Sequence, residues 1–227
     1  MLDRRVGFYI SFIEKKNVQT HYLIRPQECT DKEIDTIIKI QEKIWVNHPE
    51  AKKILRPVKF MNINHVRADS EITNEYERIK SKQFISVQYE MLARYSKHEG
   101  LGSVEVGHLN QATEIFNTSP VFLKYLDLPV LGLEKLDMAK ISEEHGWIGY
   151  MKMTNFCRRL RKGKPCGICG PCTDAVIAGL GWRLPLSRRI IANIQLPFRK
   201  WWRNNYDKQS SGLFKKFREF IYRKDMV

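Results

Sequence analysis

The sequence lacks the features that mark membrane-spanning and secreted proteins. No apolar run approaches the roughly 20 residues that a membrane span needs. The apolar run over residues 6–13 has no small-residue cleavage site and continues directly into the charged Glu14. We interpret it as one face of a helix rather than as a signal peptide. The expectation is a cytoplasmic protein without a membrane span.

Two common phosphate-binding signatures are also missing. Neither Gly-x-Gly-x-x-Gly nor Gly-x4-Gly-Lys-Ser/Thr occurs anywhere in the chain. The Gly-Lys-Pro at residues 163–165 lies between cysteines, so we do not interpret it as a phosphate loop. The sequence has no internal repeat and no low-complexity tract, which excludes solenoid and compositionally biased classes.

Acidic residues are scarce in the last third of the chain. Residues 151–227 hold 18 Lys/Arg and only 4 Asp/Glu, whereas residues 1–150 hold 21 of each. The net charge of +14 therefore comes entirely from the C-terminal third. This distribution favours a polyanionic partner there, such as nucleic acid, a nucleotide or an anionic surface. The alternative is a basic face that is only solvated.

Four of the five cysteines lie in one short stretch, spaced Cys-x8-Cys-x2-Cys-x2-Cys. They are Cys157, Cys166, Cys169 and Cys172. Zinc prefers four soft ligands in a tetrahedron, and two-residue spacers let neighbouring thiolates turn back onto one ion. The pattern predicts a structural Zn²⁺ site. Disulfides or free thiols are the alternatives, and disulfides suit poorly a chain without secretory character.

Helical and strand-like patterns alternate over the first 150 residues. The predicted strands cover residues 18–24, 58–66 and 103–108, and the predicted helices cover 6–15, 30–48, 71–98 and 136–144. Strands separated by helices of this length favour right-handed crossovers and a parallel sheet. We therefore predict an α/β fold, with a doubly wound, mostly parallel sheet over residues 1–150. A small zinc-binding element with four cysteine ligands, over residues 151–186, and a basic helical tail over residues 187–227 follow.

The cysteine spacing, with Gly-Lys-Pro just before the second cysteine, resembles the 7-cyano-7-deazaguanine synthase family. Residues 127–146 are similar as well, with Lys135 kept and Glu134 where the family has threonine. The resemblance covers roughly residues 1–185 and is strongest at the cysteines. After Gly107, however, the family's Asp-x-x-Gly-Tyr-Pro-Asp segment is replaced by a different sequence.

The resemblance implies an N-type ATP pyrophosphatase with an adenine nucleotide alpha hydrolase-like fold. Such proteins carry Ser-Gly-Gly-x-Asp-Ser after their first strand, and Asp3 corresponds to the aspartate of that loop. The first strand and the leading Ser-Gly-Gly would then lie before Met1. The resemblance assigns catalytic roles to Asp3 and Lys135. It places the binding of ATP and Mg²⁺ at Asp3 and at the strand end near Gly107.

The implied reaction is the ATP-dependent conversion of 7-carboxy-7-deazaguanine to its nitrile. ATP activates the carboxylate, ammonia displaces the activated group, and a second ATP drives dehydration of the amide. A chain without most of the phosphate loop is expected to catalyse this poorly unless a preceding or separate segment supplies the loop.

Two other functions stay open. One is a zinc-stabilised, basic nucleic-acid-binding protein on a degenerate ATPase scaffold, which the interleaved aromatic and cationic residues 198–206 favour. The other is a different N-type pyrophosphatase that acts on another carboxylate or a tRNA base. The amphipathic tail can alternatively dock on the body of the chain, or on a second copy, which would make a homo-oligomer.

Overall fold

The computed structural model describes residues 17–25, 30–82, 85–107, 119–130 and 132–204, with side chains described as far as Pro197. The chain forms two compact units, Met1–Arg158 and Arg159–Val227. Each unit is described by itself. The predicted helix over residues 6–15 and the predicted site residue Asp3 lie outside the described residues.

Helices and strands alternate along the first unit. In chain order they are β1 (His21–Ile24), α1 (Thr30–Asn47), β2 (Lys59–Asn62), α2 (Ser70–Lys80), α3 (Val87–His98), β3 (Val104–Glu105), α4 (Pro120–Tyr125), β4 (Leu126–Asp127), α5 (Lys135–Glu144) and α6 (Ile148–Met153). Short 3₁₀ segments at Pro49–Lys53 and Ile63–His65 flank β2. Within the described residues, no helix is both long and apolar enough to cross a bilayer.

The strands pair in parallel, as predicted. β1 pairs with β2, with His21 opposite Lys59. β3 pairs with β4, with Val104 opposite Leu126. Among the described residues these are two separate two-stranded sheets. The prediction of a mixed helix and strand fold with parallel pairing is confirmed at this level.

Three apolar clusters form the core of the first unit. The first contains Ile72, Tyr76 and Ile79 from one face of α2, packed with side chains of α4 and β4. The second joins α1 to the 3₁₀ segment after it, and the third joins Leu23 of β1 to Tyr95 of α3. Leu92 of α3 packs against both the first and the third cluster. The same helix therefore contacts the cores of both strand pairs.

The prediction of one continuous helix over residues 71–98 is wrong. The chain forms α2 and α3 with a break between them, and Ile85 in that break is buried in the first cluster. The Ser86 hydroxyl accepts the backbone N–H of Gln88 at 3.4 Å and opens α3. The predicted helix start at Thr30 is confirmed, as is the end before Gly146, which has φ +72°.

The second unit is helical where it is described. It contains α7 (Gly170–Ile177), a 3₁₀ turn at Gly181–Arg183 and α8 (Leu186–Asn204). The predicted helical tail thus begins as a helix, and residues 205–227 lie outside the described residues. α7 contacts both the 3₁₀ turn and α8.

Candidate metal centre

The four predicted cysteines lie together. Their sulfur atoms are all within 4.8 Å of one another. The Cys169 and Cys172 sulfurs are 3.5 Å apart, and those of Cys166 and Cys172 are 4.0 Å apart. Four thiolates at a zinc–sulfur distance of about 2.3 Å stand roughly 3.8 Å apart at the corners of a tetrahedron. The cluster therefore has the dimensions of a site for one metal ion.

The turn after Cys166 folds the backbone around its sulfur. The backbone N–H groups of Ile168 and Cys169 donate to the Cys166 Sγ at 3.4 and 3.3 Å. Hydrogen bonds to sulfur favour the ionised thiolate, which is the form that binds metal. Gly167 makes this turn at φ +78°, and a Cβ there would lie 2.5 Å from the carbonyl oxygen of Arg188. Glycine is therefore required both by the backbone conformation and by the close approach of α8.

The start of α7 holds the third and fourth cysteines, with Cys169 as the residue before the helix and Cys172 in its first turn. The Cys169 carbonyl accepts the backbone N–H groups of Cys172 at 3.0 Å and Thr173 at 3.1 Å. Pro171 occupies the first turn of the helix, where its missing N–H costs nothing. This geometry turns the side chains of Cys169 and Cys172 towards each other.

A tight hairpin separates Cys157 from the other three cysteines. Arg161 and Lys164 exchange backbone hydrogen bonds of 2.9 and 3.1 Å. Lys162 (φ 50°) and Gly163 (φ 71°) between them both have the positive φ of a type I′ turn. The hairpin carries exposed cations at Arg161, Lys162 and Lys164, and Arg158 just before it is exposed as well.

Arg183 lies close to the cluster, and sequence reasoning missed it. Burial lowers the pKa of Arg183 to about 10, and the negative charge of the nearby Cys172, when it is ionised, opposes that shift. A metal ion held by four thiolates keeps a net negative charge, which a neighbouring guanidinium offsets. No spacing rule points to this residue, because the 3₁₀ turn after α7 brings it to Cys172.

The predicted site residues Gly107 and Lys135 lie in different elements of the first unit. Gly107 is buried just beyond β3, after Val106, whose backbone N–H donates to the Asp127 carbonyl at 2.7 Å. Lys135 is half-buried as the first residue of α5. Within the described part of the chain, no hydrogen bond or ion pair brings Lys135 to Gly107. Comparison with protein-family models, with curated proteins and with solved structures found no match to this chain.

Proposed function

We propose that the four cysteines hold one structural Zn²⁺. The sulfur separations suit a tetrahedron around one ion, and two backbone N–H groups already donate to Cys166. Four protein thiolates complete the coordination of zinc, so no position is left for water or substrate. The ion's role is then to fix the loop and α7, not to perform chemistry.

Metal analysis tests the zinc proposal directly. The purified chain should contain one zinc per molecule, and Cys166→Ser should lose it, because a serine hydroxyl is a poor substitute for a thiolate. Cys29→Ser is the matched control, since Cys29 lies far from the motif in sequence. Full zinc occupancy in Cys166→Ser, or no metal in the parent chain, would contradict the proposal.

For the whole chain we propose a 7-cyano-7-deazaguanine synthase-like protein on a doubly wound sheet. The observation that carries it is the combination of two parallel strand pairs with the four-cysteine cluster. Tyr22 and Leu23 are consecutive in β1 and both buried, so β1 is covered on both faces, as interior strands of parallel sheets are. β2 exposes Lys59 and Phe60 instead, as an edge strand does.

One further strand between β1 and β3 would unite the two pairs. α3 supports this arrangement, because it contacts the cores of both pairs and would cover the added strand as well. Such a strand is not among the described residues. In the family, the loop after the first strand binds the phosphates, and it would lie at the carboxyl edge of the sheet, near Gly107.

The described residues supply only part of an ATP site. Lys135 is the first residue of a helix whose end is capped by the Glu134 and Asp137 side chains, so its ammonium is the group that suits a phosphate oxygen there. Asp3 is proposed as the Mg²⁺ ligand. When bound, ATP activates the substrate carboxylate for attack by ammonia. The amide-rich loop that stabilises the leaving pyrophosphate must come from outside the described residues.

The deciding assay measures nitrile formation from 7-carboxy-7-deazaguanine, ATP, Mg²⁺ and ammonia. We expect little turnover by the 227-residue chain and clear turnover when a segment with a strand and a Ser-Gly-Gly loop is fused before Met1. Lys135→Ala in the fused protein should lower turnover, whereas Lys140→Ala, exposed farther along α5, should not. Absence of both ATP binding and turnover in the fused protein would rule the enzyme out.

A second candidate, nucleic-acid binding, is favoured by the hairpin beside the metal centre. Its exposed cations lie on and beside a two-residue turn, where they can neutralise phosphates. The test is the salt dependence of binding to single-stranded RNA. Neutralising Arg161 and Lys164 should reduce the slope of log K against log salt by roughly 0.7 per lost contact. The matched control neutralises the exposed Lys52 and Lys53 and should leave the slope unchanged.

A further inference from the structure

α8 exposes a continuous apolar stripe. Leu186 is 69% exposed, Ile190 is 52% exposed and Ile194 is 73% exposed. The three residues are four positions apart, so they lie on one face of the helix. Exposure of this degree at consecutive turns of one helix is typical of an interaction surface.

A different side of α8 packs against the rest of the second unit. Ala192 is fully buried, and the Arg188 carbonyl faces the Gly167 turn. The Cδ atom of Arg189 would lie 3.5 Å from a Cβ placed on Gly181. These contacts hold the helix without using Leu186, Ile190 or Ile194. Covering the stripe therefore requires no rearrangement of the metal centre.

The charge of this helix restricts what can cover the stripe. The sequence of α8 contains five Lys/Arg and no Asp or Glu. Over residues 159–204 the only acidic residue is Asp174, against ten Lys/Arg. Arg188 and Arg189 contact the second unit itself, but the cations Arg161, Lys162 and Lys164 of the same unit are exposed. A partner that covers the stripe is therefore expected to present apolar surface and negative charge together. Nucleic acid would satisfy the cations, but it would leave aliphatic side chains such as Ile194 without a partner.

We propose that α8 docks on an anionic phospholipid surface. In interfacial helices the aliphatic side chains enter the boundary between headgroups and acyl chains, while the cations meet the acidic headgroups. The sequence of α8 continues through Trp201 and Trp202, a residue type enriched at membrane interfaces. α8 has no apolar window able to cross the bilayer, so it would lie along the surface. The proposal is independent of the enzyme and of the RNA candidate.

Vesicle co-sedimentation of the zinc-loaded full chain tests the proposal. We expect binding to phosphatidylcholine vesicles that contain phosphatidylserine, and at least about tenfold weaker binding to phosphatidylcholine alone. Binding to the anionic vesicles should also weaken as salt is raised. Equal binding to both kinds of vesicle, or to neither, would overturn the proposal.

The double variant Ile190→Gln, Ile194→Gln tests the stripe itself. Glutamine keeps helix propensity, and both positions are exposed, so zinc content and helical signal should match the parent chain. Its affinity for anionic vesicles should fall about tenfold or more, because two aliphatic groups no longer enter the lipid. The control Val46→Gln replaces a side chain that is 77% exposed on α1 and should bind as the parent does.

Two other outcomes would point to a different occupant and overturn the proposal. In one, the double variant binds vesicles like the parent but changes from a dimer to a monomer in light scattering. In the other, the double variant binds vesicles like the parent but loses affinity for RNA. The first outcome assigns the stripe to a second copy of the chain, and the second assigns it to nucleic acid.

Discussion

At the scale of single residues, Gly167 lets the turn after Cys166 pack directly against α8. Its backbone φ of +78° is one that residues with a side chain rarely adopt. Its missing Cβ also leaves room for the Arg188 carbonyl. Gly163 has a similar φ of +71°, but a Cβ there would meet nothing within 4 Å. Comparing alanine substitutions at Gly167 and Gly163 therefore separates the free-energy cost of the backbone conformation from that of the close contact.

We expect Gly167→Ala to lower the free energy of unfolding by about 2–5 kcal/mol, since backbone strain and the clash with Arg188 add. Gly163→Ala should cost about 1–2 kcal/mol, from backbone strain alone. Urea unfolding of the zinc-loaded proteins measures both. Equal losses in the two variants would show that the contact with Arg188 contributes nothing.

The metal site shows what a sequence can predict at this scale. The cluster was predictable because Cys166, Cys169 and Cys172 are separated by two-residue spacers, so local turns nearly suffice to bring them together. Arg183 and the Arg188 carbonyl were not predictable. They reach the site through the packing of the 3₁₀ turn and α8, which no spacing in the sequence specifies.

At the scale of elements, Asp69 connects three helices. Its Oδ1 accepts the backbone N–H of Ile72 at 3.1 Å and caps α2. Its carboxylate also pairs with Lys97 near the end of α3, and the Lys97 ammonium lies 5.8 Å from the centre of the Tyr125 ring in α4. The hydrogen bond from Lys97, followed by the one from the Ile72 backbone, holds the pKa of Asp69 below its usual value.

Because the folded-state pKa of Asp69 is depressed, its stabilising contribution is present above the pKa of an unfolded aspartate, about 3.9. The contribution is lost as the pH falls from there through the folded-state pKa. Asp69→Ala should cost about 1 kcal/mol at neutral pH and flatten the acid limb of the stability profile. Asp35→Asn, on the exposed face of α1, is the control and should leave stability at neutral pH nearly unchanged. An Asp69→Ala protein with the parent's acid limb would contradict this role.

Predictions of element boundaries succeeded where a local stop signal exists. Gly146 ends α5 because a positive φ follows its last turn, and the sequence shows that glycine directly. The break between α2 and α3 has no glycine stop signal, and the apolar spacing continues through it; only Ser86, which caps α3, marks it in the sequence. Burial of Ile85 against the core of α2 and α4 determines the break, and that is a tertiary contact.

At the scale of the whole molecule, the two units differ in how they are stabilised. The first unit has three apolar clusters that include large side chains such as Ile72, Tyr95 and Phe122. In the described part of the second unit, the large aliphatic side chains that are buried are Leu180 and Leu184. A core this small needs a further constraint to stay folded, and the proposed zinc ion would supply one.

Removing the metal should therefore unfold the second unit selectively. Structural zinc contributes roughly 10–16 kcal/mol in small zinc-binding peptides, which is as large as the whole stability of a typical domain. With a zinc chelator present, amide protons of α7 should lose their protection from hydrogen exchange, whereas those of α2 and α3 should keep it. Adding zinc back should restore protection in α7. Loss of hydrogen-exchange protection in both units would mean that the metal stabilises the entire chain. Unchanged protection in α7 would mean that the apolar contacts of the second unit suffice without the metal.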